Sequence, residues 1–188
     1  MSDVLTIDTT AGIVTERKVE PLPLYNEHHP MLVESIPEYK QRLPNAVMSN
    51  LIARMKMTMQ QYGGIGLSAN QCGVFERVFI IGTGEFQLAC INPKIVSKSI
   101  KATKSDEGCL SYPGFYVKVY RPDEITAEFT DENGNIQQIE LSGLTARCYM
   151  HELDHMNGVR LVDHVGPAAI QQARRKQEKI LKKVSRKK

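Results

Sequence analysis

Apolar residues recur at helical spacing in three stretches of this chain and follow strand-like patterns between them. The first stretch is opened by Pro44-Asn45; there Val47, Met48, Leu51, Ile52, Met55 and Met59 fall on one face until Gly63-Gly64 ends the pattern. This predicts a helix with one core-facing stripe, its methionines packing the interior rather than forming a soft binding surface. Short β-type runs follow at Arg77–Ile81, Leu88–Ile91, Lys94–Ile100, Tyr116–Tyr120, Ile125–Thr130 and Ile136–Leu141. The last two flank Asp131-Glu132-Asn133-Gly134, whose Asn-Gly pair supplies the positive φ angles of a hairpin turn. Helical spacing returns from Leu144 to Met156, with Ser142 as N-cap and Gly158 as stop, and Pro167 suits the first position of a last helix reaching about Val184.

No repeat and no low-complexity linker interrupts this order, so the pattern predicts an α+β fold. Its expected parts are antiparallel strands packed around the helix at 144–156, an N-terminal helix and a C-terminal helix. At 188 residues one core suffices, burying roughly two-thirds of the unfolded surface without staples. The division expected is a catalytic body over residues 1–166 and an appendage over residues 167–188. The first 20 residues show no pattern.

Charge separates these two parts. Residues 166–188 carry nine basic side chains against Glu178 alone, net +8, while the rest holds fifteen basic against twenty acidic, net −5. A basic appendage on an acidic body predicts a polyanionic partner for the tail only. DNA is not expected as a partner. No apolar run approaches the roughly 20 residues that span a bilayer, so no membrane segment is expected. Met1-Ser2-Asp3-Val4 lacks the basic and apolar regions of a secretory signal, which predicts residence in the cytosol or its organellar equivalent. Cys72, Cys90, Cys109 and Cys148 lie far apart with no CxxC pair and read as reduced thiols.

The chemistry concentrates in His151-Glu152-Leu153-Asp154-His155, an HExxH pattern on the second helix. Residues i and i+4 share a helix face, so both imidazoles can reach one metal ion while Glu152 stands beside the water that the ion activates. A hydrolytic site of this kind needs a third protein ligand. The metzincin extension HExxHxxGxxH runs through Gly158 but breaks at Leu161, where the third histidine should stand. Asp163 lies too close to the helix and Glu178 belongs to the basic tail. Upstream, Cys109 in Glu107-Gly108-Cys109-Leu110-Ser111 is the best remaining donor, since a thiolate suits a borderline-soft divalent ion. The competing reading is a structural buried cysteine, in which case His164 is the next ligand to consider.

Three segments together resemble one family. Gly64-Ile65-Gly66-Leu67-Ser68-Ala69-Asn70-Gln71 is similar to the GxGxAAxQ motif of peptide deformylases, Glu107–Ser111 to their EGCLS motif, and His151–His155 to their HExxH. The resemblance covers roughly residues 40–165 and departs at Ser68, where the family usually carries alanine. It implies removal of the formyl group from formyl-methionyl nascent peptides. One divalent ion would be held by Cys109, His151 and His155, with ferrous iron expected in the cell and zinc, nickel or cobalt able to replace it. Glu152 would move the proton, and the Gln71 side-chain amide and Leu110 N–H would stabilise charge on the formyl oxygen. Gly64 and Gly66 would let backbone approach the substrate, and Ile65, Leu144 and Cys148 would wall the methionine pocket. Family members with a C-terminal helix are thought to dock it near the ribosomal exit tunnel, so the resemblance makes the ribosome a candidate partner of this tail. Two competing functions remain at this point: a zinc endopeptidase or aminopeptidase on the same helix, and a metal-free ribosome- or RNA-binding module.

Overall fold

Asn45 starts the first helix as a sequence of this kind requires, its side-chain oxygen accepting a hydrogen bond from the Met48 amide at 2.9 Å. The computed structural model describes residues 4–7, 14–17, 19–84 and 86–186. Half of the unpatterned first 20 residues, and Lys187 and Lys188 of the basic tail, lie outside the described residues. In chain order the elements are β1 (Val4–Ile7), β2 (Val14–Arg17), α1 (Ala46–Gln61), β3 (Gly66–Ser68), β4 (Val78–Thr83), β5 (Phe86–Lys98), β6 (Ala102–Cys109), β7 (Tyr112–Pro122), β8 (Glu124–Thr130), β9 (Ile136–Ser142), α2 (Gly143–Met156) and α3 (Pro167–Ser185), with short 3-10 turns between some of them. The fold is α+β with antiparallel sheets.

Strands β3-β4-β5-β8-β9 form one sheet in that order, β6 pairs with β7 in a separate ribbon, and β1 pairs with β2. The large sheet lies between two helices. Along β4 the run Val78-Phe79-Ile80-Ile81 is buried throughout, and strand periodicity sends alternate side chains to opposite faces. Val78 and Ile80 pack with Met48, Ile52, Met55 and Met59 of α1. Phe79 and Ile81 pack with Tyr149, Leu153 and Met156 of α2. The α2 helix is therefore an interior element, which is what positions a buried site on it. A third cluster joins Tyr112, Phe115, Val117 and Val119 of β7 to Leu161 and to Ala173 of α3.

Two strand expectations change. The runs at 88–91 and 94–100 are one bent strand, β5, whose register against β8 shifts between Ile91 and Lys94. The physical cause sits between them: Asn92 adopts φ 51° and exchanges hydrogen bonds with the Tyr39 backbone at 2.7 and 2.9 Å, while Pro93 has no N–H for the ladder. Strands β1, β2, β3 and β6 were not anticipated; most residues of β6, Ala-Thr-Lys-Ser-Asp-Glu-Gly-Cys, are exposed, and its pairing with β7 holds it extended.

Pro167 opens α3 and Gly166 precedes it as the cap. On this helix Ala173 and Gln177 are buried, whereas Ile180, Leu181 and Val184 are 40% to 51% exposed. The first half is anchored to the body. Arg174 pairs with Glu27 and stacks over Phe115 at 4.7 Å, and Gln177 Nε2 donates to the Pro113 carbonyl at 2.9 Å. Beyond that point the helix outruns the ribbon it packs on. Among the described residues no helix is long and apolar enough to cross a membrane.

Candidate metal centre

Strand β9 runs through Gly143 (φ 56°) directly into α2, which carries His151 and His155 one turn apart with ring centroids 5.1 Å from each other. Cys109 reaches them from the end of β6, where a register irregularity between Gly108 and Cys109 breaks the ladder with β7. Its Sγ lies 3.3 Å from His155 Nε2. One ligand atom each from Cys109, His151 and His155 lie within 4.8 Å of one another. Donors sharing one tetrahedral ion through bonds of about 2.0 to 2.3 Å sit roughly 3 to 4 Å apart, so the trio fits a single divalent ion. His164, the alternative third ligand, is engaged at 2.7 Å by Asp154 and is not in this group.

Glu107 orients the histidine that precedes the glutamate. His151 Nδ1 lies 3.1 Å from Glu107 Oε2, an arrangement that leaves Nε2 for the ion. The same carboxylate receives Arg121 Nε and Nη2, both at 2.9 Å, and Arg147 Nη1 at 2.7 Å. Burial pushes its pKa up, but the hydrogen bonds from His151 and Arg121 outweigh burial and hold it well below the carboxylate range. Arg121 also donates to Asp154 at 2.6 Å. The two imidazoles differ in their surroundings. Burial depresses both, but the Cys109 and Glu107 contacts carry His151 well above its ordinary value, while burial and the charges of His151 and Arg121 keep His155 well below. His155 Nδ1 is buried and has no hydrogen-bond partner among the described residues.

Glu152 lines the same cleft as Cys109 and His151 and is 4% exposed. Burial raises its pKa, with His151 and the Ser68 hydroxyl opposing. Gln71 is held by its own oxygen, which accepts from the Ser68 amide at 2.9 Å; its Nε2 then faces Cys109 Sγ at 3.3 Å and Ser111 Oγ at 3.1 Å. All the expected site residues except His155 line one cleft of about 470 Å³, including Gly64 and Leu110. Ile65 and Leu144 stand at its exposed rim and Cys148 is buried, its thiol donating to the Ile65 carbonyl at 3.3 Å. The glycines have an intramolecular reason beyond the substrate approach expected of them. A Cβ on Gly66 would collide with Glu152 Oε1 and come within 2.7 Å of Cys148 Sγ, and one on Gly64 would meet Leu110 Cδ1 at 2.7 Å.

Sequence reasoning assigned no role to Glu107, Arg121, Arg147 or the Ser68 hydroxyl. One signal was available: Arg121 continues the inward-facing series Phe115, Val117, Val119 of β7, and an arginine at an inward position needs a buried acidic partner.

Comparison with known proteins points to one family. A family model described as polypeptide deformylase matches residues 21–171. A peptide deformylase of Thermotoga maritima is 36% identical over 139 residues, covering 74% of this chain and 85% of that protein. One from Cellvibrio japonicus is 42% identical over 132 residues, covering 69% and 78%. Among solved structures, the Legionella pneumophila peptide deformylase superposes with a TM-score of 0.79 at 33% identity, covering 88% of this chain and 98% of that one. The Synechococcus elongatus enzyme in complex with actinonin also gives 0.79, at 34% identity and 84% and 86% coverage. The chain belongs to the polypeptide deformylase family, hydrolases that remove the N-formyl group from newly made polypeptides.

Proposed function

We propose that Cys109, His151 and His155 hold one divalent ion, that Glu152 carries the proton, and that Gln71 with the Leu110 amide receives the charge that grows on the formyl oxygen. The observation that supports this most directly is the grouping of one ligand atom each from Cys109, His151 and His155 within 4.8 Å of one another, with the buried Glu152 carboxylate lining the same cleft as Cys109 and His151. The donor set, two nitrogens and one sulfur, suits ferrous iron in the cell and accepts zinc, nickel or cobalt. When bound, the ion supplies a Lewis acid that makes water nucleophilic near neutral pH.

The residues do the rest. Glu152, buried and not a ligand, accepts a proton from the attacking water and returns it to the departing amine, so formamide and water leave as formate and a free amino terminus. Gln71 enters this with its amide already aimed by the Ser68 amide, so little reorganisation is needed as charge develops. Ile65, Leu144 and Cys148 would receive the methionine side chain, with two apolar residues at the rim and a neutral thiol below, burial having raised its pKa well above that of a free thiol. Formate release from formyl-Met-Ala-Ser, with none from the unformylated peptide, is the expected result. Cleavage of unformylated Met-Ala-Ser would instead indicate a peptidase.

The free end of α3 is proposed to meet the ribosome, from which the substrate emerges. Lys179, Lys182, Lys183 and Arg186 cluster there beside the exposed Leu181 and Val184. Contact with ribosomal RNA would be largely electrostatic and would weaken steeply with salt.

A further inference from the structure

Ser68 ends β3 fully buried, and it touches both arms of the chemistry proposed above. Its main-chain amide aims Gln71, as described. Its hydroxyl lies 2.7 Å from Glu152 Oε2 and 3.1 Å from the Glu152 carbonyl oxygen. A hydroxyl has one proton to donate, and the shorter contact to a carboxylate oxygen is the stronger use of it. The other carboxylate oxygen, Oε1, lies where a Gly66 side chain would begin. Gly66 lines the cleft and Ser68 does not. The two oxygens of Glu152 thus have different surroundings: Oε2 is tied to the interior, and Oε1 sits over a bare Cα that opens on the cleft.

We propose that Ser68 is a positioning residue for Glu152, anchoring Oε2 so that Oε1 is the oxygen offered to the reactants. The terminal torsion of a glutamate is broad and roughly two-fold, so burial alone leaves the carboxylate free to turn, and a hydrogen bond on one oxygen removes that freedom. Catalytic groups lose rate quickly when their orientation drifts by more than about 10–20°. Alanine, the residue that the resembling motif usually carries here, would keep the main-chain bond to Gln71 and lose only the bond to Glu152. Deleting the hydroxyl therefore separates the two arms without asking the fold to accept a larger side chain. The inference rests on Glu152 as the proton carrier.

The test compares Ser68→Ala, Ser68→Cys and Glu152→Gln, each purified with its metal, using formyl-Met-Ala-Ser. Cysteine keeps the side-chain shape with a somewhat larger atom and is only a weak donor, so both Ser68 variants should lose turnover in the same direction. The expected result is a fall in kcat of about tenfold with KM within about twofold. Metal content and melting temperature should stay at the wild-type level, and a crystal structure of Ser68→Ala should show the Glu152 carboxylate turned or split between orientations. An unchanged kcat, a change confined to KM, or loss of metal or melting temperature in step with activity would overturn the assignment. Glu152→Gln separates the two readings. If it is inactive while Ser68→Ala is fully active, only the positioning role fails; if it is fully active, the proton-carrier reading fails and the positioning role with it.

Discussion

Helices α2 and α3 are both amphipathic by sequence and differ in what surrounds them. Nine residues of α2 are buried, His151, Glu152 and His155 among them, whereas on α3 only Ala173 and Gln177 are. Polar groups on a largely enclosed helix need partners, so the charged side chains of α2 are tied to residues from distant strands: Arg147 and His151 to Glu107, Glu152 to Ser68, Asp154 to Arg121. A helix held along one edge has no such constraint. Its lysines can be numerous because water solvates them, and its chemistry reaches only as far as the Debye length. Precision at a site and tolerance at a tail are thus two outcomes of the same helical spacing, decided by burial.

The contrast predicts large effects from single atoms on or against α2. Cys109→Ala should come from anaerobic purification with little or no metal by elemental analysis and without deformylase activity. Stoichiometric metal in that variant would move the third ligand elsewhere. Glu152→Ala should keep its metal and lose about 10²- to 10⁴-fold in turnover, as expected for removal of a general acid–base; metal-loaded protein of near-normal activity would exclude the role. Glu107→Gln should weaken metal binding by roughly 10- to 100-fold in a chelator competition, because the orienting partner of His151 is altered. It should also lower the melting temperature, since Arg121 and Arg147 would face a neutral amide in a buried setting.

On α3 the expected effects are small and depend on where the helix is cut. Truncation after Lys179 removes the free end and should leave formyl-Met-Ala-Ser turnover and melting temperature nearly unchanged, while co-sedimentation with ribosomes at low ionic strength drops. Equal pelleting by both proteins would give the tail another role. Truncation after Gly166 also removes Ala173, Arg174 and Gln177, which pack against β7 and Glu27, so it should lower stability measurably. If the two truncations behave alike, the docked and free halves of α3 are not distinct.

How much of this was legible depended on the kind of interaction involved. Helices α1 and α2 could be placed from spacing and boundary residues, because Asn45 and Gly158 act locally and the apolar stripe repeats within a few turns. Strand β6 could not, since its neighbours in the ribbon, not its own composition, hold it extended. The bend in β5 depends on Asn92 bonding to Tyr39, a contact between residues 53 apart. At the site, the i, i+4 histidines announced themselves. Glu107 did not, because nothing in a sequence separates a buried carboxylate bridging two arginines from a solvated one.

The hydrogen bonds of the cleft span long stretches of chain: 84 residues from Ser68 to Glu152, 46 from Cys109 to His155 and 38 from Gln71 to Cys109. A polypeptide made from its N-terminus therefore carries Ser68, Gln71 and then Cys109 well before Glu152 and the two histidines exist. Until the segment ending at His155 is available, Cys109 is a lone thiol on a two-stranded ribbon. Activity should consequently appear late and all at once during synthesis, and early termination products should hold no partial site for a metal ion to occupy.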